Sequence, residues 1–185
     1  MQRLIILILS ILLLWTSTGR CEVPVVNLPV ELREENWVGP AGEGSCVHAT
    51  VVMLLRWQQQ YQTADDWRRT YSDGEYADDK WNYGSNLARK FDSENVRYAY
   101  TIEGDEKFLE WAISTRRGAG VTVKGGRHMV ALVHMDDEKV GLLDNNDIEN
   151  IIWVDRERFM SEWKNSNGWA VTPIYTPAPP LPVRK

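Results

Sequence analysis

Cys46 closes a glycine-rich stretch, GPAGEGSC, and opens an apolar run, VHATVVMLLRW. A thiol in the first turn of a helix lies against unpaired backbone N–H groups at the positive end of the helix dipole. That setting lowers its pKa and favours the thiolate nucleophile. Gly44 and Ser45 just before it let a substrate backbone approach closely. The chain has only two cysteines. The other, Cys21, borders an apolar N-terminal run, so a Cys21–Cys46 disulfide is the weaker reading. A third reading makes Cys46 a small buried hydrophobe.

A nucleophilic thiol needs a base, and three histidines compete for the role. His48, two residues past Cys46, points elsewhere on a helix and reads as a packing or surface residue. His128 opens the apolar run HMVALVHM directly after VKGGR, a strand edge following a flexible Gly pair. His134 shares its strand parity but lies towards the turn MDDE, so His128 is favoured. If HMVALVHM and KVGLL form a hairpin around DDE, the end of the second strand returns beside the start of the first. That end is Asp144, Asn145 and Asn146, and Asp144 would then orient the His128 imidazole. The competing reading of DNNDIEN is a polar turn or a weak calcium loop, and Ile148 breaks the EF-hand pattern. One thiol and one well-placed histidine do not make a zinc set, so neither a metal nor another cofactor is implied.

These residues need elements to hold them. Residues 46–61 predict a helix, with Val47, Thr50, Val51, Leu54, Leu55 and Gln58 at helical spacing. Thr63 with Asp66 reads as a capping box for a second helix to about Tyr71. SDGEYADDKWNYGSN reads as a surface loop, a short helix covers 85–92, and VRYAYTI alternates like a strand. Asp105 caps a helix carrying Phe108, Leu109, Ala112 and Ile113. GAGVTVKGG, HMVALVHM, KVGLLDN and IENIIWV then read as strands of an antiparallel sheet. Asp155 caps a last helix with Phe159 and Trp163, and GWAVTPI is a closing strand. Helices first and a sheet later point to one α+β domain.

The ends differ from the middle. MQR, the apolar run LIILILSILLLW and the small residues TSTG have a signal-peptide layout over residues 1–21, with an uncleaved anchor as the alternative. Residues 22–175 are the domain, and 176–185 a Pro-rich tail. Of the 185 residues, 43% are hydrophobic and 25% charged, and the net charge of −5 disfavours nucleic acid or an anionic membrane as partner. Membrane association would come only from an uncleaved N-terminal segment. Nine Trp residues either line a ligand-binding surface or fill the core. The acidic stretch 65–83, if it borders the site, would favour a basic peptide.

The order Cys, His, Asp, with GSCVHAT opening a helix and HMVALV opening a strand, resembles the papain-like cysteine peptidases. The gap of 82 residues from Cys46 to His128 is short for papain and the cathepsins and is similar to the compact bacterial C39-like branch. The resemblance implies a papain-like α+β fold, N-terminal helices with the nucleophile at a helix N-terminus, packed on an antiparallel sheet. It also implies an exported cysteine peptidase or amidohydrolase acting on a peptide or protein, with Cys46, His128 and Asp144 as catalytic residues. The family's Gln upstream of the cysteine is missing: Pro40, Ala41, Gly42, Glu43, Gly44 and Ser45 occupy that stretch, and Glu43 would repel an oxyanion. Asn36 is the substitute donor if the glycine-rich loop bulges, beside the Cys46 N–H. The rivals are a transglutaminase-like acyltransferase, a papain-like domain that only binds, and a structural domain with a core cysteine.

Overall fold

The computed structural model describes residues 28–37, 45–72 and 83–177. The signal-peptide reading of residues 1–21, Cys21 and the tail beyond 177 lie outside the described residues. After a 3-10 turn at Val30–Leu32, the helices are α1 (Cys46–Trp57), α2 (Tyr61–Thr70), α3 (Tyr83–Ser93), α4 (Glu106–Ser114) and α5 (Arg156–Asn165). The strands are β1 (Tyr98–Thr101), β2 (Ala119–Val123), β3 (His128–Met135), β4 (Lys139–Leu143), β5 (Ile151–Asp155) and β6 (Ala170–Pro173). They form one six-stranded sheet in the order β1-β6-β2-β3-β4-β5, with every pairing antiparallel. The fold class is α+β, as the sequence predicts.

Both faces of the sheet are covered. On one, Val51, Val52, Met53 and Leu54 of α1 pack with Met129, Ala131, Val133, Leu143 and Val171. On the other, Leu109, Ala112 and Ile113 of α4 and Phe159, Met160 and Trp163 of α5 pack with Val121, Val130, Leu132 and Val140. This explains why HMVALVHM shows no polar alternation: a central strand with two buried faces is apolar on both. It also explains α1, in which every residue but Arg56 is buried. A helix that is apolar all round belongs between layers. Trp57, Trp67, Trp163 and Trp169 are core residues, so at least these four fill space rather than line a ligand surface.

Several boundaries depart from the sequence reading. The helix expected over 46–61 ends at Trp57, because Gln59 turns into the left-handed region at φ 62°. Gln58 kept the helical pattern alive because it too is buried. Its amide donates to Thr172 Oγ1 (3.2 Å) and accepts from the Tyr175 N–H (2.7 Å), tying the end of α1 to β6 and the segment after it.

The Thr63–Asp66 capping box does not form. α2 already starts at Tyr61, after a three-residue turn, and Ala64 and Trp67 set its buried face. Asp66 instead accepts from Gln62 (3.0 Å) and pairs with Arg69. Part of the surface loop expected at 72–86 is helical, because α3 begins at Tyr83; residues 73–82 lie outside the described residues. Leu87 and Phe91 bury its apolar face. Asp105 caps α4 as expected, accepting from the Lys107 N–H at 3.0 Å. Asp155 occupies the cap position of α5 without capping it, since its carboxylate pairs with Lys139 across the β4–β5 ladder.

Candidate active site

Cys46 is the first residue of α1, 3% exposed, and carries no disulfide. No side chain caps this helix. The first N–H groups of a helix have no intrahelical acceptor, and Ser45 does not claim one with its hydroxyl. That hydroxyl turns back instead, accepting from the Trp37 N–H (2.8 Å) and bonding to the Trp37 carbonyl and to Asn36 Oδ1 (3.0 Å). The Ser45 N–H also donates to the Trp37 carbonyl at 3.1 Å. These contacts stitch residues 36–37 to the start of α1, so Asn36 is bonded to Ser45, the residue before Cys46, although it lies ten positions upstream of Cys46.

His128 opens β3 opposite Val123, at the tip of the β2–β3 hairpin. Lys124, Gly125 and Gly126 all take left-handed φ values there (55°, 65° and 78°), the conformation the Gly pair makes available. The tip is tethered rather than loose: Lys124 N–H donates to Glu162 (3.2 Å) and Gly125 N–H to Ser166 Oγ (3.0 Å), both on or next to α5. The imidazole is 7% exposed, and its Nε2 lies 2.7 Å from Asp144 Oδ1. Asp144 follows β4 directly, and its carboxylate also accepts from the Asn146 N–H (3.0 Å) and lies 3.9 Å from Lys124 Nζ.

The electrostatics favour a charged ring. Burial opposes the imidazolium, yet the Asp144 carboxylate and Cys46, acting on the ring by hydrogen bonding and by charge, overcome it and raise His128 from 6.5 to about 9. In turn, Asp144 is also opposed by burial, but its bonds to His128 and the Asn146 N–H hold its carboxyl below the ordinary value.

The other histidines are used elsewhere. His48 is buried, stacks on Tyr71 with ring centroids 4.6 Å apart, and accepts from Trp67 Nε1 (3.2 Å); it is a packing residue. His134 holds the turn of its own hairpin. Its Nε2 lies 3.0 Å from Asp136, whose carboxylate also accepts from the Glu138 and Lys139 N–H groups. Those bonds, with His134 first, pull the Asp136 carboxyl down to about 2.

Asn145 and Asn146, read from sequence as part of a polar turn, are built into the site. Asn146 Oδ1 accepts from Asn36 Nδ2 (3.0 Å), and its own Nδ2 lies 3.4 Å from His128 Nε2. Asn145 is wholly buried, and its carbonyl accepts from the Asn36 N–H at 2.7 Å. Amides directly after Asp144 were the available signal. A sequence does not distinguish them from turn residues, because Asn serves both. Of the acidic stretch 65–83, residues 65–70 belong to α2 and 73–82 lie outside the described residues.

No protein-family model matches the chain, and no curated protein matches it. Its fold does match that of a solved structure. A Bacillus anthracis protein assigned as a C39-like peptidase aligns with a TM-score of 0.55 at 14% identity, over 84% of this chain and 98% of its own. A double glycine motif protease from an AMS/PCAT transporter, solved in complex with the leader peptide, aligns with a TM-score of 0.49 at 14% identity, over 81% of this chain and 94% of its own. By the first of these alignments the fold is that of the C39-like peptidases, helices packed on an antiparallel sheet, as the family resemblance of the sequence motifs implies.

Proposed function

We propose that the chain is an exported cysteine peptidase or amidohydrolase in which Cys46 is the nucleophile, His128 the general base and acid, and Asp144 the group that orients the imidazole. One observation carries this reading: a single buried ring is shared between a carboxylate 2.7 Å from its Nε2 and the cysteine that opens α1. With Nε2 taken by Asp144, Nδ1 is the nitrogen left to take the thiol proton.

In this mechanism the Cys46 thiolate adds to the carbonyl carbon of a peptide or amide bond. An S–C bond forms and the carbonyl π electrons move to oxygen. The Cys46 N–H and Asn36 Nδ2 donate to that oxyanion, which requires Asn36 to give up its bond to Asn146. The C–N bond then breaks, and the imidazolium protonates the leaving amine. Water, deprotonated by His128, attacks the thioester carbonyl and releases a carboxylic acid and free Cys46. Asp144 stays ionised throughout. Export rests on the signal-peptide layout of residues 1–21, and the substrate is a peptide or protein.

The test is the pH dependence of iodoacetamide alkylation at Cys46, with His128→Ala alongside and a fluorogenic peptide library as substrate. Fast alkylation at neutral pH, lost in the variant, and library cleavage that Cys46→Ser abolishes are the expected results. Slow alkylation with the ordinary thiol value of about 8.5, unchanged by the variant, would remove the assignment. Transfer of the acyl group to a labelled amine in place of water would make the chain transglutaminase-like. An activated thiol without turnover of any peptide would leave a domain that binds.

A further inference from the structure

We infer that Asn145 is the positioning residue that sets the distance between Cys46 and His128, by clamping the first turn of α1 to the start of β3. This rests on the peptidase reading above and adds to it a residue outside the Cys-His-Asp set.

The geometry is specific. Asn145 Nδ2 has the Cys46 carbonyl (3.0 Å), Thr50 Oγ1 (3.0 Å) and the Met129 carbonyl (2.9 Å) within hydrogen-bond distance, its two protons shared among the three. The first is the backbone of the nucleophile itself. The third is the residue directly after the base. Thr50 Oγ1 donates to the same Met129 carbonyl at 3.2 Å, closing a triangle between the two elements. Two of the three acceptors are carbonyl oxygens, which accept only, so the amide is held with its NH2 towards them. Through its own carbonyl, Asn145 also holds the Asn36 backbone (2.7 Å). The nucleophile, the residue directly after the base and the candidate oxyanion donor thus all meet one residue, and the residue before it orients the ring.

The clamp is kept at a cost. Asn145 is 0% exposed and its Oδ1 has no hydrogen-bond partner among the described residues. A buried amide oxygen left unpaired is destabilising, and an apolar residue would avoid that. Such exceptions gather where geometry matters more than stability.

The test uses the full chain with Asn145→Leu, close in shape but uncharged and without the donor, and with Thr50→Val, which removes one leg. Iodoacetamide alkylation of Cys46 is followed against pH below the melting temperature, together with the NMR titration of the His128 ring. Asn145→Leu is expected to slow alkylation at pH 7 by at least about tenfold and to displace the ring titration. Thr50→Val should do the same more weakly. A purely structural amide would lower Tm and leave both profiles at wild type, and that result overturns the inference. If Asn145→Leu shows no cooperative unfolding, Thr50→Val decides by the same criterion. If the wild-type thiol is itself unactivated, the peptidase reading fails. The clamp is then judged on the ring titration alone: displaced in the variants it stands, unchanged it falls.

Discussion

His128 and Asp144 meet at 2.7 Å because β3 carries one residue more than a regular hairpin would need. Near the turn, His134 pairs with Gly141; beyond it, Leu132 pairs with Leu142, so the register slips by one at Val133. Continuing the inner register past Leu143 sets Asp144 opposite Val130, on the parity of His128. Without the bulge it would fall opposite Ala131, and its side chain would leave from the other face of the sheet. The ring–carboxylate contact therefore depends on the bulge as much as on the turn.

Replacing Asp144 with Asn tests the electrostatic half of that contact. Burial is the largest single influence on His128 and acts against its charge, and it is overcome by Asp144 and Cys46 together. With the carboxylate gone, the imidazolium is expected to lose its elevation from about 9 and to titrate towards or below 6.5. Histidine side-chain NMR reads this directly. A ring that still titrates near its wild-type value in Asp144→Asn would mean that Asp144 does not hold it.

The same shift makes a statement about stability. A histidine raised from 6.5 unfolded to about 9 folded stabilises the native state fully below 6.5, and that contribution is lost as pH rises through about 9. Urea unfolding from pH 6 to 10 should show stability falling across this window, with a shallower fall in His128→Gln. Equal slopes in the two proteins would assign the alkaline loss to other groups.

The sequence made the hairpin legible because DDE is a polar break between two apolar runs, and it made α1 legible because a fully buried helix leaves a long apolar signature. The bulge at Val133 was not legible, since one extra valine in an all-apolar strand changes no pattern when both faces are buried. Nor was the clamp at Asn145, because its partners are backbone carbonyls that no residue type announces. Local chemistry misled at Thr63–Asp66, where the motif was present but the cap position falls at Gln60, three residues before Thr63, with Ala64 and Trp67 on the buried face.

Gly168 should be far less replaceable than Gly104, although they face each other and Gly104 N–H donates to the Gly168 carbonyl at 2.9 Å. Both are left-handed, at φ +56° and +74°. A Cβ on Gly168 would lie 2.3 Å from Gly104 N and 2.6 Å from its Cα, which are backbone atoms and cannot step aside. On Gly104 the obstacle is Lys164 Cγ at 2.9 Å, part of a flexible side chain. We expect Gly168→Ala to cost about 2–4 kcal/mol and Gly104→Ala about 1–2 kcal/mol, measured by urea unfolding. Equal losses would show that the β1–α4 turn yields freely.

The last expectation concerns the donor to the oxyanion. Asn36 is held at the site by its backbone N–H on Asn145 and by Ser45, while its Nδ2 rests on Asn146 Oδ1 at 3.0 Å. An amide placed in this way has a fixed base and a head that can exchange one acceptor for another. If it serves the oxyanion, Asn36→Ala should lower kcat on a cleaved peptide by about a hundred- to a thousandfold with little change in KM, because the charge it meets exists only in the transition state. Alkylation at Cys46 should keep its wild-type pH profile, since iodoacetamide displacement builds no oxyanion and the His128–Asp144 pair is untouched. Asn146→Ala separates the two roles of the bond. Freeing the Asn36 amide should leave kcat near wild type if Asn146 only parks it, whereas a loss as large as that of Asn36→Ala would make Asn146 the group that aims it. Wild-type kcat in Asn36→Ala would leave the Cys46 N–H at the start of α1 as the donor that remains of this pair, and Asn36 would be no more than part of the wall.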